Sequence, residues 1–396
     1  MTIEAVPPLL LDVSRLVWRA WVGLLPTGID RTVLAYVRHF GPRARAVLQR
    51  SGFTRILSRD ASTRLFDLLL AGGPGVRADL IRLAPALLGA REPLPVGAIY
   101  LNVGHTGLDR PSHAAWVRRT GVKACYFIHD LIPLTHPEYC RPGEPEKHGR
   151  RIDALLALGG GIIGNSRDTL DMLAAFAEQV HRPALMPTLV SPLGIPSLEA
   201  GQGRKAAELE LTGAYFVMLG TLEGRKNHLL ILNIWAEMAR RLGAACPRLI
   251  IIGQRGWECE QAVDMLERCA AIKGQVTELP RCDDAMLGAY MRGARALLFP
   301  SFVEGYGLPL VEALACGTPV IASDLAVFQE LAGDIPDYLS PVDGLGWMNA
   351  IENYAREDSA MRAAQIGRMS GWTAPTWADH FARVDAFLEE LSHRPG

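Results

Sequence analysis

"ALLFPSFVEGYGLPLVEALACGTPVIAS", residues 296–323, reads as strand, loop, helix, strand. "ALLFPS" (296–301) is too apolar for a surface, and "TPVIAS" (318–323) matches it. "LPLVEALACG" (308–317) between them is a short helix with a proline in its first turn. Two buried strands joined by a helix form a parallel crossover unit. The same rhythm runs upstream, with strands at 215–220, 248–253 and 275–280 and helices at 228–243, 259–272 and 284–294. It continues downstream in the helix "AVFQELAG" (326–333). Apolar runs of this length alternating with helices predict a doubly wound α/β domain.

The first half carries three further strands, "AIYLNVG" (98–104), "KACYFIHD" (123–130) and "GGIIGNS" (160–166), after a helix-rich start. "LVSPLGIPSLEAGQGRKAAE" (189–208) is rich in Pro, Gly and small residues and reads as a linker. The expected division is residues 1–198 for the first Rossmann-like domain, 199–371 for the second, and 372–396 for a closing helix. Trp377, Phe381, Val384, Phe387 and Leu388 in that helix recur at spacings that predict docking on another element. Two such domains imply a cleft, and their ligands belong at the carboxyl ends of the strands.

The 396-residue chain is 49% hydrophobic with a net charge of −1, so no global field selects a nucleic acid. Residues 1–64 are different, with ten arginines, no lysine and four acids. A solvated helical surface explains this excess, and so does a lobe that leans on anionic lipid or a phosphate-bearing acceptor. Trp18, Trp21, Leu24 and Leu25 fit a membrane surface and fit core packing equally. The seven cysteines form no CxxC and read as reduced thiols of a cytosolic protein. The N-terminus lacks a basic leader, and the most apolar stretch (154–164) is too short to span a bilayer. The expectation is a cytoplasmic protein, soluble or peripheral on the inner membrane face.

Loops after strands carry the candidate chemistry. In "LGTLEGRKNH" (219–228) a strand ends at Gly220 and Thr221, and Arg225 and Lys226 stand where a helix begins, with Asn227 as its cap. Cations oppose the helix dipole there, and a bound phosphate would resolve the conflict. In the 296–323 stretch, Gly305, Tyr306, Gly307 and Leu308 form a second anion cradle. Glu304 precedes it and Glu312 falls in the first helical turn. A carboxylate on each side of a phosphate suits the hydroxyls of a nucleotide sugar. Dipole stabilisation by Glu312 and a plain surface role for Glu304 are the alternatives. His129 and Asp130 end the strand at 123–130, and His105 ends another. Ser166 reads as a helix cap or as a ligand contact, and Gly28 lies in a turn before Arg31. The chain has no P-loop, no G-x-S-x-G, no HExxH and no Asp-x-Asp pair. A metal-bridged diphosphate site is therefore not expected, and Arg225, Lys226 and helix N-termini would take its place.

"FVEGYGLPLVEALACGTPVIAS" (302–323) resembles the E-x7-E motif of retaining glycosyltransferases of family 4. "GTLEGRKNH" (220–228) is similar to that family's Arg-Lys phosphate-binding motif. "FIHDLIPLTHPEY" (127–139) and "GIIGNSRDT" (161–169) resemble its bacterial branch that builds O-antigens and exopolysaccharides, which includes many mannosyltransferases. The resemblance implies a GT-B fold, with the last helix crossing back onto the first domain. It implies that Arg225 and Lys226 stabilise the diphosphate as leaving group, Glu312 binds ribose, and Glu304 and His129 face the donor sugar. Backbone N–H groups of 305–308 would touch the β-phosphate and sugar. It implies no cofactor beyond a nucleotide-sugar co-substrate, GDP-mannose in that branch, and a saccharide or lipid-linked saccharide acceptor. A GT-B-fold epimerase and a non-catalytic sugar-nucleotide-binding subunit are the competing readings.

Overall fold

A computed structural model describes residues 7–24, 27–73, 75–87, 93–182, 186–195 and 213–394. The chain divides into two units, each built on one sheet. The first comprises Met1–Leu134, Gly143–Gly194 and Thr376–Gly396, and the second Thr135–Pro142 and Ile195–Pro375.

The first unit's strands are β1 (Leu9–Asp12), β2 (Ala44–Arg50), β3 (Phe53–Ile56), β4 (Ile99–Asn102), β5 (Lys123–Ile128), β6 (Gly159–Gly164) and β7 (Thr188–Val190). Their order is β3-β2-β1-β4-β5-β6-β7, parallel except for the β2–β3 hairpin. β1, β4 and nearly all of β5 are buried, as expected of strands covered on both faces. The hairpin over 44–56 lies in the stretch that reads as helix-rich, because its residues do not alternate cleanly between apolar and polar.

The second unit's strands are β8 (Tyr215–Leu219), β9 (Arg248–Ile252), β10 (Val276–Leu279), β11 (Leu297–Phe299), β12 (Val320–Ser323) and β13 (Asp337–Leu339). Their order is β10-β9-β8-β11-β12-β13, parallel throughout. The chain reverses direction across the sheet between β8 and β11, and the motif loops follow these two strands. Trp235, Trp347 and Tyr354 fill the core between the sheet and its helices.

Two segments join their units against chain order. Thr135–Pro142 belongs to the second unit, where Tyr139 stacks on Phe302 (5.4 Å between centroids) and Arg141 lies over Trp257 (4.8 Å). The closing helix, Trp377–His393, belongs to the first unit and packs on β6 and β7. Gly161 makes room for it, since a Cβ there would lie 2.6 Å from Leu391. Lys123 Nζ donates to the carbonyls of Leu391 (3.1 Å) and Ser392 (2.9 Å), closing the helix's free C-terminal acceptors. All seven cysteines are free thiols.

Candidate active site

In the second unit the loop after β8 is sewn to its neighbours. Leu222 N–H donates to Gln254 (2.9 Å) and Gly256 N–H returns to Leu222 (3.0 Å). Gly224–Lys226 form a 3-10 turn, and Asn227 takes a left-handed φ of +57° before the helix His228–Leu242 begins. Asn227 holds the N-cap position but makes no side-chain cap, and its amide nitrogen donates to the Pro341 carbonyl (2.8 Å). Arg225 and Lys226 therefore sit one turn ahead of the helix.

Both cations meet Glu304. Arg225 Nη1 lies 2.8 Å from Oε2, and Lys226 Nζ lies 2.5 Å from Oε1. Ser301 donates its hydroxyl to the same Oε1 (2.8 Å), and Arg225 Nε binds Glu223 (2.9 Å). Phe302 N–H donates to the Arg225 carbonyl (2.8 Å), so the loops after β8 and β11 are one structure. The Phe299 ring lies 5.0 Å from Lys226 Nζ. Burial alone would raise the Glu304 pKa, but the adjacent Arg225 and Lys226 outweigh it and hold the carboxyl at about 2. Burial lowers the Lys226 pKa, against the pull of Glu304, and raises that of Glu223. The dipole conflict read from the sequence is thus met by two carboxylates of the chain itself. Glu304, expected on the donor sugar, accepts from Lys226 and Ser301 at Oε1 and from Arg225 at Oε2, and so serves the buried ammonium as counter-ion.

Gly305, Tyr306 and Gly307 are buried between Glu304 and the helix Leu308–Ala315. Gly307 has φ of +130°, and a Cβ there would lie 3.0 Å from the Phe328 ring. Its glycine is dictated by the fold before any ligand enters. Glu312 is the fifth residue of that helix, not in its first turn, and is buried. The helix starts at Leu308 with Pro309 second, so Glu312 lies too far along to serve as a dipole cap. Gly220 holds φ of +133° at the end of β8, with Thr221 half-buried beside it.

In the first unit two imidazoles stitch the loops after β4 and β5. His105 Nε2 donates to the Phe127 carbonyl (2.7 Å), and His129 Nε2 donates to the Val103 carbonyl (2.8 Å). Their ring centroids are 5.2 Å apart, and His148 lies 5.9 Å from His105 with Nε2 on the Asp130 carbonyl (3.2 Å). A carbonyl only accepts, so each Nε2 carries the proton and each neutral ring keeps Nδ1 as an acceptor. Burial lowers all three pKa values, that of His129 to about 4. Asp130 Oδ1 accepts from Ile132 N–H (3.1 Å) in a local turn, and Asn165 donates to the His129 carbonyl (2.9 Å). Ser166 is fully buried and caps the helix Arg167–Gln179 through Thr169 N–H (3.1 Å), which is the capping reading. Gly28 opens the helix Gly28–Phe40, whose Thr27–Asp30 capping box also anchors Arg15 and Arg19.

Glu223, Ser301, Phe299 and His148 are missing from the sequence reading. Glu223 and Ser301 stand within three residues of Arg225 and Glu304, but their roles depend on how two loops meet. His148 had a signal: with Ile152 and Leu155 it lies on the apolar face of Glu144–Leu158. Among the described residues no group of His, Cys, Asp and Glu could hold a metal ion.

Residues 202–335 match the family of glycosyl transferases group 1. The chain is 29% identical over 235 residues to the serotype-specific mannosyltransferase WbdA of Escherichia coli, covering 57% of this chain and 29% of that one. It is 34% identical over 129 residues to O-antigen chain mannosyltransferase B of Escherichia coli, a third of each chain. It is 27% identical over 292 residues to a D-inositol 3-phosphate glycosyltransferase of Thermobifida fusca, covering 67% and 65%. The chain spans less than a third of the WbdA relatives' length. Among solved structures, Anabaena HepE in complex with UDP superposes with a TM-score of 0.67 at 16% identity, over 98% of this chain and 100% of that one. Trehalose-6-phosphate synthase gives 0.64 at 13% identity, over 98% and 99%. The fold shared with both, two Rossmann-like sheets, is that of GT-B glycosyltransferases. The matched residues 202–335 span both motif loops, so the Arg225–Lys226–Glu304 cluster lies within them.

Proposed function

We propose that this chain is a retaining, metal-independent hexosyltransferase of family 4. It moves mannose from GDP-mannose to a saccharide or lipid-linked saccharide in the synthesis of a bacterial surface polysaccharide, on the cytoplasmic side of the membrane. The observation that carries the reading is the cluster of buried Lys226 and Glu304 with half-buried Arg225, at 2.5–2.8 Å, within residues that match glycosyl transferases group 1. The mannosyltransferases of Escherichia coli among its relatives support the choice of sugar.

Arg225 and Lys226 have the role of stabilising the departing diphosphate. Glu304 fixes the two cations before the donor arrives, so little reorganisation accompanies the charge that develops. The two cations are shared between Glu304 and the diphosphate as the C1–oxygen bond breaks. The acceptor hydroxyl attacks C1 from the same face, and its proton passes to a phosphate oxygen of the leaving group. The new glycosidic bond keeps the anomeric configuration. Glu312 takes the ribose, His129 the donor sugar, and the backbone of 305–308 the β-phosphate. Thermal shift with GDP-, UDP- and dTDP-sugars tests the donor, with GDP-mannose expected to raise Tm most; at 100 times its Kd a ligand adds about 2.7 kcal/mol. NMR of the product tests the mechanism, and an inverted anomeric centre would sink it.

A further inference from the structure

The arginine-rich start of the chain is not used by the reaction, and the structure divides it into two parts. Arg15 and Arg19 are tied to the buried Asp30, and Arg43 is tied to Asp385. Arg31, Arg38, Arg50, Arg59 and Arg64 stay exposed elsewhere, whereas the outward face of the first helix is apolar. On the helix Ser14–Val22, Trp18 and Val22 lie one turn apart, exposed by 55% and 43%, and Leu24 just beyond is exposed by 52%. Leu25 falls outside the described residues. The helix Val76–Leu87, which the sequence reading passed over, packs against Ser14–Val22 and exposes Ile81 by 55%. Arg77, one turn before Ile81, lies over the Trp21 ring (5.0 Å), so the two exposed strips adjoin.

We infer that this two-helix face of the first unit is a docking surface for an anionic lipid bilayer. Monomeric proteins rarely leave several large apolar side chains together in water. Tryptophan beside arginine suits the boundary of headgroup and acyl chain. The charge is complementary: Ser14–Val22 contains no acid, and Asp79, the one acid of Val76–Leu87, is bound by Arg82 at 2.7 Å. The face presents Arg77 to lipid phosphates while Trp18, Val22, Leu24 and Ile81 enter the bilayer. The surface lies on the first unit and stands whatever donor the second unit takes.

The full chain is mixed with vesicles of equimolar phosphatidylglycerol and phosphatidylcholine, or of phosphatidylcholine alone, and sedimented. Partitioning to the anionic vesicles is expected to exceed that to neutral ones by about tenfold. Trp18→Ser with Ile81→Ser lowers it by about tenfold or more, with unfolding temperature and GDP-mannose thermal shift unchanged. Arg77→Ser narrows the difference between the two vesicle types. Absence of binding, or equal binding by the double variant, overturns the inference. So does a lipid-free dimer in analytical ultracentrifugation that Ile81→Ser dissolves, because the face would then bind a second copy of this chain.

Discussion

At the scale of the residue, Glu304 is both a structural counter-ion and a candidate participant in chemistry, and the two roles separate experimentally. Glu304→Gln leaves the buried Lys226 and the half-buried Arg225 without their shared carboxylate. Breaking a buried pair in this way costs about 3–5 kcal/mol, read by urea unfolding. A diphosphate restores the missing charge, so GDP is expected to raise the Tm of Glu304→Gln more than that of the native chain. An equal rise in both would show that GDP does not reach the cations. The carboxyl is held at about 2, below its ordinary value of 4.5. Its contribution is complete above 4.5 and is lost as pH falls through about 2. Lys226→Ala removes the ammonium that faces the leaving group. It is expected to lower kcat about 10²–10³-fold while GDP-mannose still binds, and near-native turnover would exclude the leaving-group role.

At the scale of the element, local pattern and tertiary pairing explain what the sequence could reveal. Five of the second unit's six strands are legible as short runs bounded by glycine or proline, as in "RLIIIG" and "ALLFPS", whereas β13, three residues beginning with an acid, is not. The β2–β3 hairpin is not, because "ARAVLQR" mixes charge with apolar residues at no fixed period and is defined by its cross-strand partners. The motif residues stand out in sequence, whereas the Glu304–Arg225–Lys226 network does not, since it joins positions 78 apart. Gly307 connects the two levels. Gly307→Ala places a methyl against Phe328 in a backbone conformation that alanine rarely adopts. It is expected to destabilise the chain by about 1–3 kcal/mol in urea unfolding, even without nucleotide. A loss seen only in donor affinity would mean that the glycine serves the ligand alone.

At the scale of the whole molecule, the two units differ in how acid acts on them. In the first unit burial lowers the pKa values of His105, His113, His129, His148 and His380, to about 4 for His113, His129 and His380. His380 belongs to the closing helix and holds the unit together, with Nε2 at 2.9 Å from Tyr36 and Nδ1 at 2.9 Å from Ser191. In the second unit His228 is lowered in the same way, to about 3. A histidine held below 6.5 in the folded chain takes its proton more readily when unfolded. Its stabilisation is complete above 6.5 and declines as pH falls towards the folded value, at about 1.4 kcal/mol per pKa unit. Five such groups against one make the first unit lose stability first between pH 6.5 and 4. Hydrogen exchange, corrected for intrinsic rates, should show protection fading in β4, β5 and β6 while β8 and β9 remain closed. Loss of both sheets together, or of β8 and β9 first, would show that these buried imidazoles do not govern the acid response.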